Sequence, residues 1–205
     1  MTEEGARNHI AERFDASKLV MLDRYREILI AANDGQNLIA PSTVPTIWSR
    51  HLLDSAQLLD HAPSDWDHWI DIGSGAGLPG IVVAILSARH MTLIEPRRLR
   101  AEFLARCCDA LGLARVRILQ TRAETADAAH PADVVSARAV AKLGALFSAS
   151  RRFSDRSTIF ILPKGESAKS EVAEAQRSWQ GEFHVEHSIV DPKSGIVVAT
   201  GIAPR

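Results

Sequence analysis

Apolar residues first recur at helical spacing between Ser17 and Ala32. Leu19, Leu22, Ile28 and Leu29 share a face there, with Val20 and Tyr25 beside them. The run Asn33-Asp34-Gly35-Gln36-Asn37 is expected to break this helix, with Gly35 as its stop signal. A second amphipathic helix is predicted from Thr46 to about His61, burying Ile47, Trp48, Leu52, Ser55 and Leu59. Residues 1–16 show no such pattern and are read as a loose terminus.

From Trp69 the pattern changes to short apolar runs that alternate with helical stretches. Strands are predicted at Trp69–Ile72, Met91–Glu95, Val116–Leu119, Asp133–Ser136 and Thr158–Leu162. Helices are predicted at Ile81–Arg89, at Pro96–Leu111 with Gly112 as the stop, at Val140–Phe153 and at Ser167–Trp179. Residues 183–190 and 195–202 read as two closing strands, a hairpin across Pro192 to Gly195. Alternating strands and helices imply an α/β fold of the Rossmann-like class, its mostly parallel sheet covered on both faces. The closing hairpin implies an antiparallel edge. Residues 1–66 form a helical N-terminal extension on a core unit of residues 67–205, and the two make one compact body.

Composition narrows the class. Of 205 residues, 46% are hydrophobic and 24% charged, as in a soluble globular protein. Met1 to Phe14 is polar and charged, and the longest apolar run, Ile81 to Leu86, is far too short to span a bilayer. A cytoplasmic location follows as the expectation. The two cysteines, Cys107 and Cys108, are adjacent, which excludes a disulfide framework. The eight histidines fall at no metal-ligand spacing, so no metal is expected. Net charge is −1, but it is unevenly spread: residues 1–90 carry net −5, residues 91–156 net +5 and residues 157–205 net −1. A basic island in an acidic chain suits a phosphate backbone, although arginines on exposed helix faces are also commonly just solvated.

Asp71-Ile72-Gly73-Ser74-Gly75-Ala76-Gly77-Leu78-Pro79-Gly80 leaves a strand and enters a helix. Glycines let a chain turn sharply and let a ligand approach the backbone, and the helix start offers free N–H groups. Two ligands compete for this loop. Gly75-x-Gly77-x-x-Gly80 matches the dinucleotide fingerprint, whereas Asp71-x-Gly73-x-Gly75-x-Gly77 matches the first motif of methyltransferases. Glu95, in the next strand, stands where an acid would hold ribose hydroxyls in either case. A dehydrogenase needs a substrate domain, for which too little chain remains. An RNA-binding protein with a dead cofactor site is a third reading, against which the intact loop and Glu95 speak.

The segment Asp71 to Ile81 resembles the signature of the glucose-inhibited division protein B family, the bacterial 16S rRNA guanine-N7 methyltransferases. Four further segments are similar to that family in register: Asn37-Leu38 with Arg50-His51-Leu52-Leu53-Asp54-Ser55, the basic helix from Arg97 to Leu104, Ser136-Ala137-Arg138-Ala139, and Pro163-Lys164-Gly165. The match runs from about residue 33 to 166. The tail departs from the family, its basic segment reduced to Lys193-Ser194-Gly195, and Ala32 stands in place of an aromatic residue. The resemblance implies S-adenosylmethionine as cofactor. It also implies a guanine N7 in the 530 loop of 16S rRNA as target, on naked RNA or the small ribosomal subunit. Methyltransferases of another RNA or of a small molecule are the neighbouring alternatives.

Expected cofactor positions are Asp71, Gly73, Gly75, Gly77, Leu78, Glu95, Ala123, Glu124 and Arg138. Expected RNA-binding positions are Arg97, Arg98, Arg100, Arg122, Lys142 and Lys164. Guanine N7 carries a lone pair and no proton, so no general base is expected. The catalytic task is positioning, assigned to Arg138 beside cofactor or base and to Lys164 on a phosphate. Both residues follow strands at the C-terminal edge of the sheet, where ligands bind. His51 and Asp54 read as a helix-surface pair or as a polar contact that holds the N-terminal helix to the sheet, ahead of an acid–base pair. Cys107 and Cys108 are expected to be buried. A monomer is favoured.

Overall fold

A computed structural model describes residues 1–127 and 130–205. Seven strands form one sheet in the order β3-β2-β1-β4-β5-β7-β6. They are β1 (His68–Ile72), β2 (His90–Ile94), β3 (Val116–Leu119), β4 (Val134–Ala137), β5 (Ile159–Lys164), β6 (Trp179–His187) and β7 (Gly195–Pro204). The first five are parallel, and β7 enters antiparallel between β5 and β6. Dinucleotide-binding folds run 3-2-1-4-5-6 with the sixth strand beside the fifth. Here a reversed β7 occupies that place, so the sheet departs from the dinucleotide-binding order.

Strand residues alternate between two apolar layers, as the period of two requires. Trp69, Leu93, Val134 and Ile161 face one cluster, and Ile70, Ile94, Val135 and Phe160 face the other. The second layer is closed by α6 (Leu143–Ser150) and α7 (Ala168–Ala175). The first is closed by α4 (Gly80–Ser87) and α5 (Arg98–Leu111) together with the N-terminal helices. Every residue of α4 from Gly80 to Leu86 is buried. An all-apolar helix needs cover on its outer side as well, and α2 (Ala16–Gln36) and the helical run 41–61 provide it. The N-terminal segment and the sheet therefore share one core. Cys107 and Cys108 lie in it as free thiols, and burial pushes their pKa values up to about 12 and about 11. Among the described residues no helix is long and apolar enough to cross a membrane.

Three N-terminal expectations need correction. Residues 1–16 are not loose: α1 (Glu3–Ala11) is a capped helix with Ala6 and Ile10 buried. The signs were present, since Thr2 caps Gly5 N–H at 3.0 Å and two acids fill the first turn. Gly35 does not stop α2. The helix continues to Gln36 and ends at Asn37 in the left-handed region (φ 47°), while buried Asn33 accepts from Ile39 N–H at 2.9 Å. The second helix starts earlier than Thr46 and is irregular. It runs as a tight 3₁₀ segment (Pro41–Thr46), a wide π segment (Trp48–Leu53), one α turn called α3 (Asp54–Ala56), and 3₁₀ again (Gln57–His61). Pro41, which lacks an N–H group, suits the first position of the opening segment, and Pro45 lies inside it. At the C-terminal end the helix after β5 stops at Ala175 and Trp179 opens β6, because this aromatic ring packs against Phe147.

The Glu3 carboxylate accepts from Trp48 N–H, Ser49 N–H and the Ser49 hydroxyl at 2.7–2.9 Å. It thereby satisfies amide groups that the start of the wide helical segment leaves free. Glu3→Ala is expected to lower the unfolding free energy by about 1–3 kcal/mol, read as an earlier urea midpoint. An unchanged midpoint would show that α1 docks through its apolar face alone.

Candidate active site

The glycine loop between β1 and α4 takes its shape from backbone freedom and from the residues beneath it. Gly73, Gly75 and Gly77 all have positive φ, at 66°, 55° and 89°, where a side chain is strained. A Cβ on Gly77 would meet Ile81 Cγ1 at 2.5 Å, and one on Gly80 would meet Leu93 Cδ2 at 2.3 Å. Buried Tyr25, from α2, donates its hydroxyl to the Ala76 carbonyl at 2.6 Å. Burial raises that phenol's pKa well above its ordinary value, so it stays a donor.

Asp71 is fully buried under the loop. Its Oδ1 accepts from Ser136 Oγ at 2.6 Å and its Oδ2 from Gly80 N–H at 3.2 Å. Ser136 accepts in turn from the Trp69 indole at 2.9 Å. Burial pushes the carboxyl up to about 6, against the hydrogen bonds from Ser136 and Gly80. A carboxyl raised in the folded state stabilises the fold while protonated. That contribution is present below its unfolded value of 3.8 and is lost as pH rises through about 6. Relative to Asp71→Asn, the wild-type protein is therefore expected to lose up to about 3 kcal/mol between pH 4 and pH 7. Denaturant unfolding of both proteins across that range checks it, and parallel pH profiles would contradict it.

Glu95 closes β2 and is also buried. Its two oxygens accept from Gly75 N–H at 2.9 Å and Arg97 N–H at 2.8 Å. These bonds fix the carboxylate at the end of the strand and leave further lone pairs on each oxygen.

A cavity of about 700 Å³ opens at the C-terminal ends of β1, β2 and β4, the place where open α/β sheets bind ligands. Gly73, Gly75, Leu78, Glu95, Ala123, Glu124 and Arg138, all expected at a cofactor site, line it. Two expected cofactor residues do not. Asp71 lies beneath the loop and Gly77 on its packed side, so both shape the cradle without facing it. Arg97, Arg100 and Arg122, expected on RNA, stand on this cavity's wall instead.

A second cavity, of about 470 Å³, shares Arg138, Ala139, Val140 and Ala141 with the first. Lys142 and Lys164 line it. Lys164 is more committed than a phosphate contact would need. It pairs with Glu171 at 2.9 Å, donates to the Ala141 carbonyl at 2.5 Å, and its side chain is only 9% exposed. Lys142 pairs with Glu174 at 2.9 Å. Arg98 lies outside both cavities and pairs with Glu102 at 2.5 Å on the surface of α5. The basic island is therefore divided between the cavity wall and solvated helix faces.

Arg138 follows β4 and precedes Ala139, which has φ 56°. Its Nη1 lies 3.4 Å from His51 Nδ1 and 3.4 Å from Asp54 Oδ2. The helical run thus holds the sheet's edge through this polar contact, as the sequence suggested. His51 Nε2 meets Thr43 Oγ1 at 2.8 Å, and burial together with the Arg138 and Arg50 charges lowers its pKa to about 4. The ring is neutral at physiological pH. Sequence reading missed that Leu38 and Val140 line the first cavity and that Tyr25 holds its loop. Single apolar residues in loops carry no sequence signal for such roles.

The family profile described as GidB, rRNA small subunit methyltransferase G, matches residues 18–195. The chain is 47% identical over 207 aligned residues to the ribosomal RNA small subunit methyltransferase G of Sphingopyxis alaskensis, covering 99% of this chain and 88% of that protein. It is 43% identical to the enzyme of the same name from Rhizorhabdus wittichii, over 100% and 95% of the two chains. Among solved structures, a ribosomal protein L11 methylase from Lactobacillus delbrueckii superposes with TM-score 0.58 at 16% identity, over 74% and 78%. The glycopeptide N-methyltransferase MtfA, complexed with sinefungin, superposes with TM-score 0.59 at 9% identity, over 72% and 91%. Those two likenesses confirm the fold. With a profile match over most of its length and relatives above 40% identity, this chain belongs to the rRNA small subunit methyltransferase G family.

Proposed function

We infer that this protein transfers a methyl group from S-adenosylmethionine to N7 of one guanine in small-subunit rRNA, in the 530 loop. The observation that carries the reading is the pair of adjoining cavities with a shared wall at the C-terminal edge of the sheet. One is built on a glycine cradle and a fixed carboxylate, and the other is lined by both cations and carboxylates, among them Arg138, Lys164, Asp54 and Glu171. The first cavity suits the cofactor in size and in its donors and acceptors. Gly73, Gly75 and Leu78 give close backbone approach. Glu95 retains lone pairs for ribose hydroxyls, and Ala123 and Glu124 form a wall for the base. When bound, S-adenosylmethionine supplies an electrophilic methyl group on a sulfonium.

The chain's own residues then need only position the acceptor. A guanine N7 has no proton to remove, and no base is required of His51, whose ring is already neutral, or of Asp54. Holding the acceptor nitrogen in position toward the first cavity can contribute up to roughly 7–11 kcal/mol of barrier reduction. Arg138, on the wall common to both cavities, is the positioning residue for that alignment. Arg97, Arg100 and Arg122 line the first cavity and add positive charge there, which favours an RNA backbone nearby.

Incubation with labelled S-adenosylmethionine and small-subunit particles from a strain lacking the modification tests this. RNA-bound label that digests to 7-methylguanosine is the expected product. Label in any other nucleoside would contradict the reading.

A further inference from the structure

The wall between the two cavities holds a donor and an acceptor side by side. Arg138 lines both cavities, whereas Asp54 lines only the second. The two side chains are 21% and 22% exposed, and Arg138 Nη1 lies 3.4 Å from Asp54 Oδ2, a long ion pair. Asp54 Oδ1 accepts from Gln57 Nε2 at 2.8 Å. Burial raises the pKa of this carboxyl, against the charges of Arg138 and Arg50 and the hydrogen bonds from Arg138 and Gln57. The other carboxylate on the second cavity, Glu171, accepts from Ser167 Oγ at 2.9 Å through Oε1, and its Oε2 lies 2.9 Å from Lys164 Nζ as an ion pair but accepts no hydrogen bond. Of the two carboxylates, Asp54 is the one that meets Arg138 on the wall shared by both cavities, through a contact long enough to yield to a ligand.

We propose that Arg138 and Asp54 together read the target base as guanine, Arg138 donating to O6 and Asp54 accepting from N1–H and the 2-amino group. The proposal rests on the reading that the second cavity takes a guanine whose N7 faces the first. From N7 round the six-membered ring, guanine presents an acceptor (O6), a donor (N1–H) and a second donor (the 2-amino group). A purine with N7 toward the first cavity meets Arg138 first, because Arg138 stands on both walls, and Asp54 next. The protein's order of donor then acceptor matches guanine. Adenine presents the 6-amino donor and then the N1 lone pair, so both contacts would be repulsive. A site built to satisfy hydrogen bonds discriminates strongly against a base that leaves them unpaired. Neither contact occupies N7, which stays free to react.

Inosine tests the pair, since it is guanosine without the 2-amino group. Small-subunit rRNA carrying either base at the modified position is offered to the wild-type protein and to Asp54→Asn, and kcat/KM is compared. The wild-type protein is expected to favour guanosine by about tenfold or more, the worth of a hydrogen bond to a charged group. Asp54→Asn is expected to collapse that preference toward unity, with guanosine slowed more than inosine. If Asp54 merely holds Arg138 in place, the variant slows both bases equally and the ratio persists, which overturns the proposal. A wild-type ratio near one overturns it without recourse to the variant, so a misfolded Asp54→Asn does not protect it. Failure of the wild-type protein to methylate N7 of the guanosine RNA is a separate result. It removes the parent reading and this one with it.

Discussion

Gly77→Ala is expected to destabilise the protein by about 2–5 kcal/mol and to weaken S-adenosylmethionine binding with it. Two costs combine at this position. The backbone sits at φ 89°, where an alanine is strained by roughly 1–2 kcal/mol. The added methyl would also lie 2.5 Å from Ile81 Cγ1 and 3.1 Å from the Tyr25 hydroxyl, and overpacking of this kind costs typically about 1–3 kcal/mol. Neither neighbour can yield cheaply. Ile81 is fully buried in α4, and Tyr25 is held by its hydrogen bond to Ala76. The loop is then expected to shift, carrying Gly75 N–H away from Glu95. Against a total stability of about 5–15 kcal/mol the loss is large. Urea unfolding and calorimetric titration with the cofactor measure both effects. A variant that keeps wild-type stability and affinity would show that the cradle is softer than its contacts indicate.

Arg138→Ala is expected to act on turnover instead. Its ion pair with Asp54 is long and partly exposed, so its loss should change stability by no more than about 1 kcal/mol. Removing a guanidinium that stands on the wall of both cavities should reduce kcat/KM by roughly 10²-fold, the scale seen when one preorganised donor is deleted from a reaction site. Arg138→Lys keeps the charge and loses the planar fork, so it is expected to recover only part of the rate. Single-turnover methylation with saturating cofactor separates this from a binding defect. Full activity in Arg138→Ala would remove the residue from the site.

The sheet was legible because buried parallel strands read as short apolar runs, and five of them recur at even spacing with a glycine turn after the first. The antiparallel order of β7 between β5 and β6 was not, since hydrophobic pattern carries no strand order. The cradle residues that face the cavity were legible from the motif, but Asp71 and Gly77 show what a motif hides. The same letters serve ligand contact and loop architecture, and only the direction of the Asp71 side chain, toward Ser136 and Gly80 N–H, separates the two. The basic island could not be divided from the sequence for a related reason. Charge along the chain does not say that Lys164 faces Glu171, Lys142 faces Glu174 or Arg98 faces Glu102. The first helix was missed because its apolar stripe is thin, just Ala6 and Ile10, and its docking rests on the Glu3 carboxylate. The His51–Asp54 spacing was visible, but its partner Arg138 lies 84 residues beyond Asp54 and is brought there by the fold alone.

On the proposed reading, the two adjoining cavities deliver a methyl group to N7 of one particular guanine. Mapping the product tests it most directly. Small-subunit rRNA methylated by the protein is reduced, cleaved with aniline at 7-methylguanosine, and read by primer extension. A single strong cleavage, at one guanine of the 530 loop, and none with Arg138→Ala, is the predicted result. Cleavage scattered over many guanines, or a modified RNA that resists cleavage, would contradict the claim.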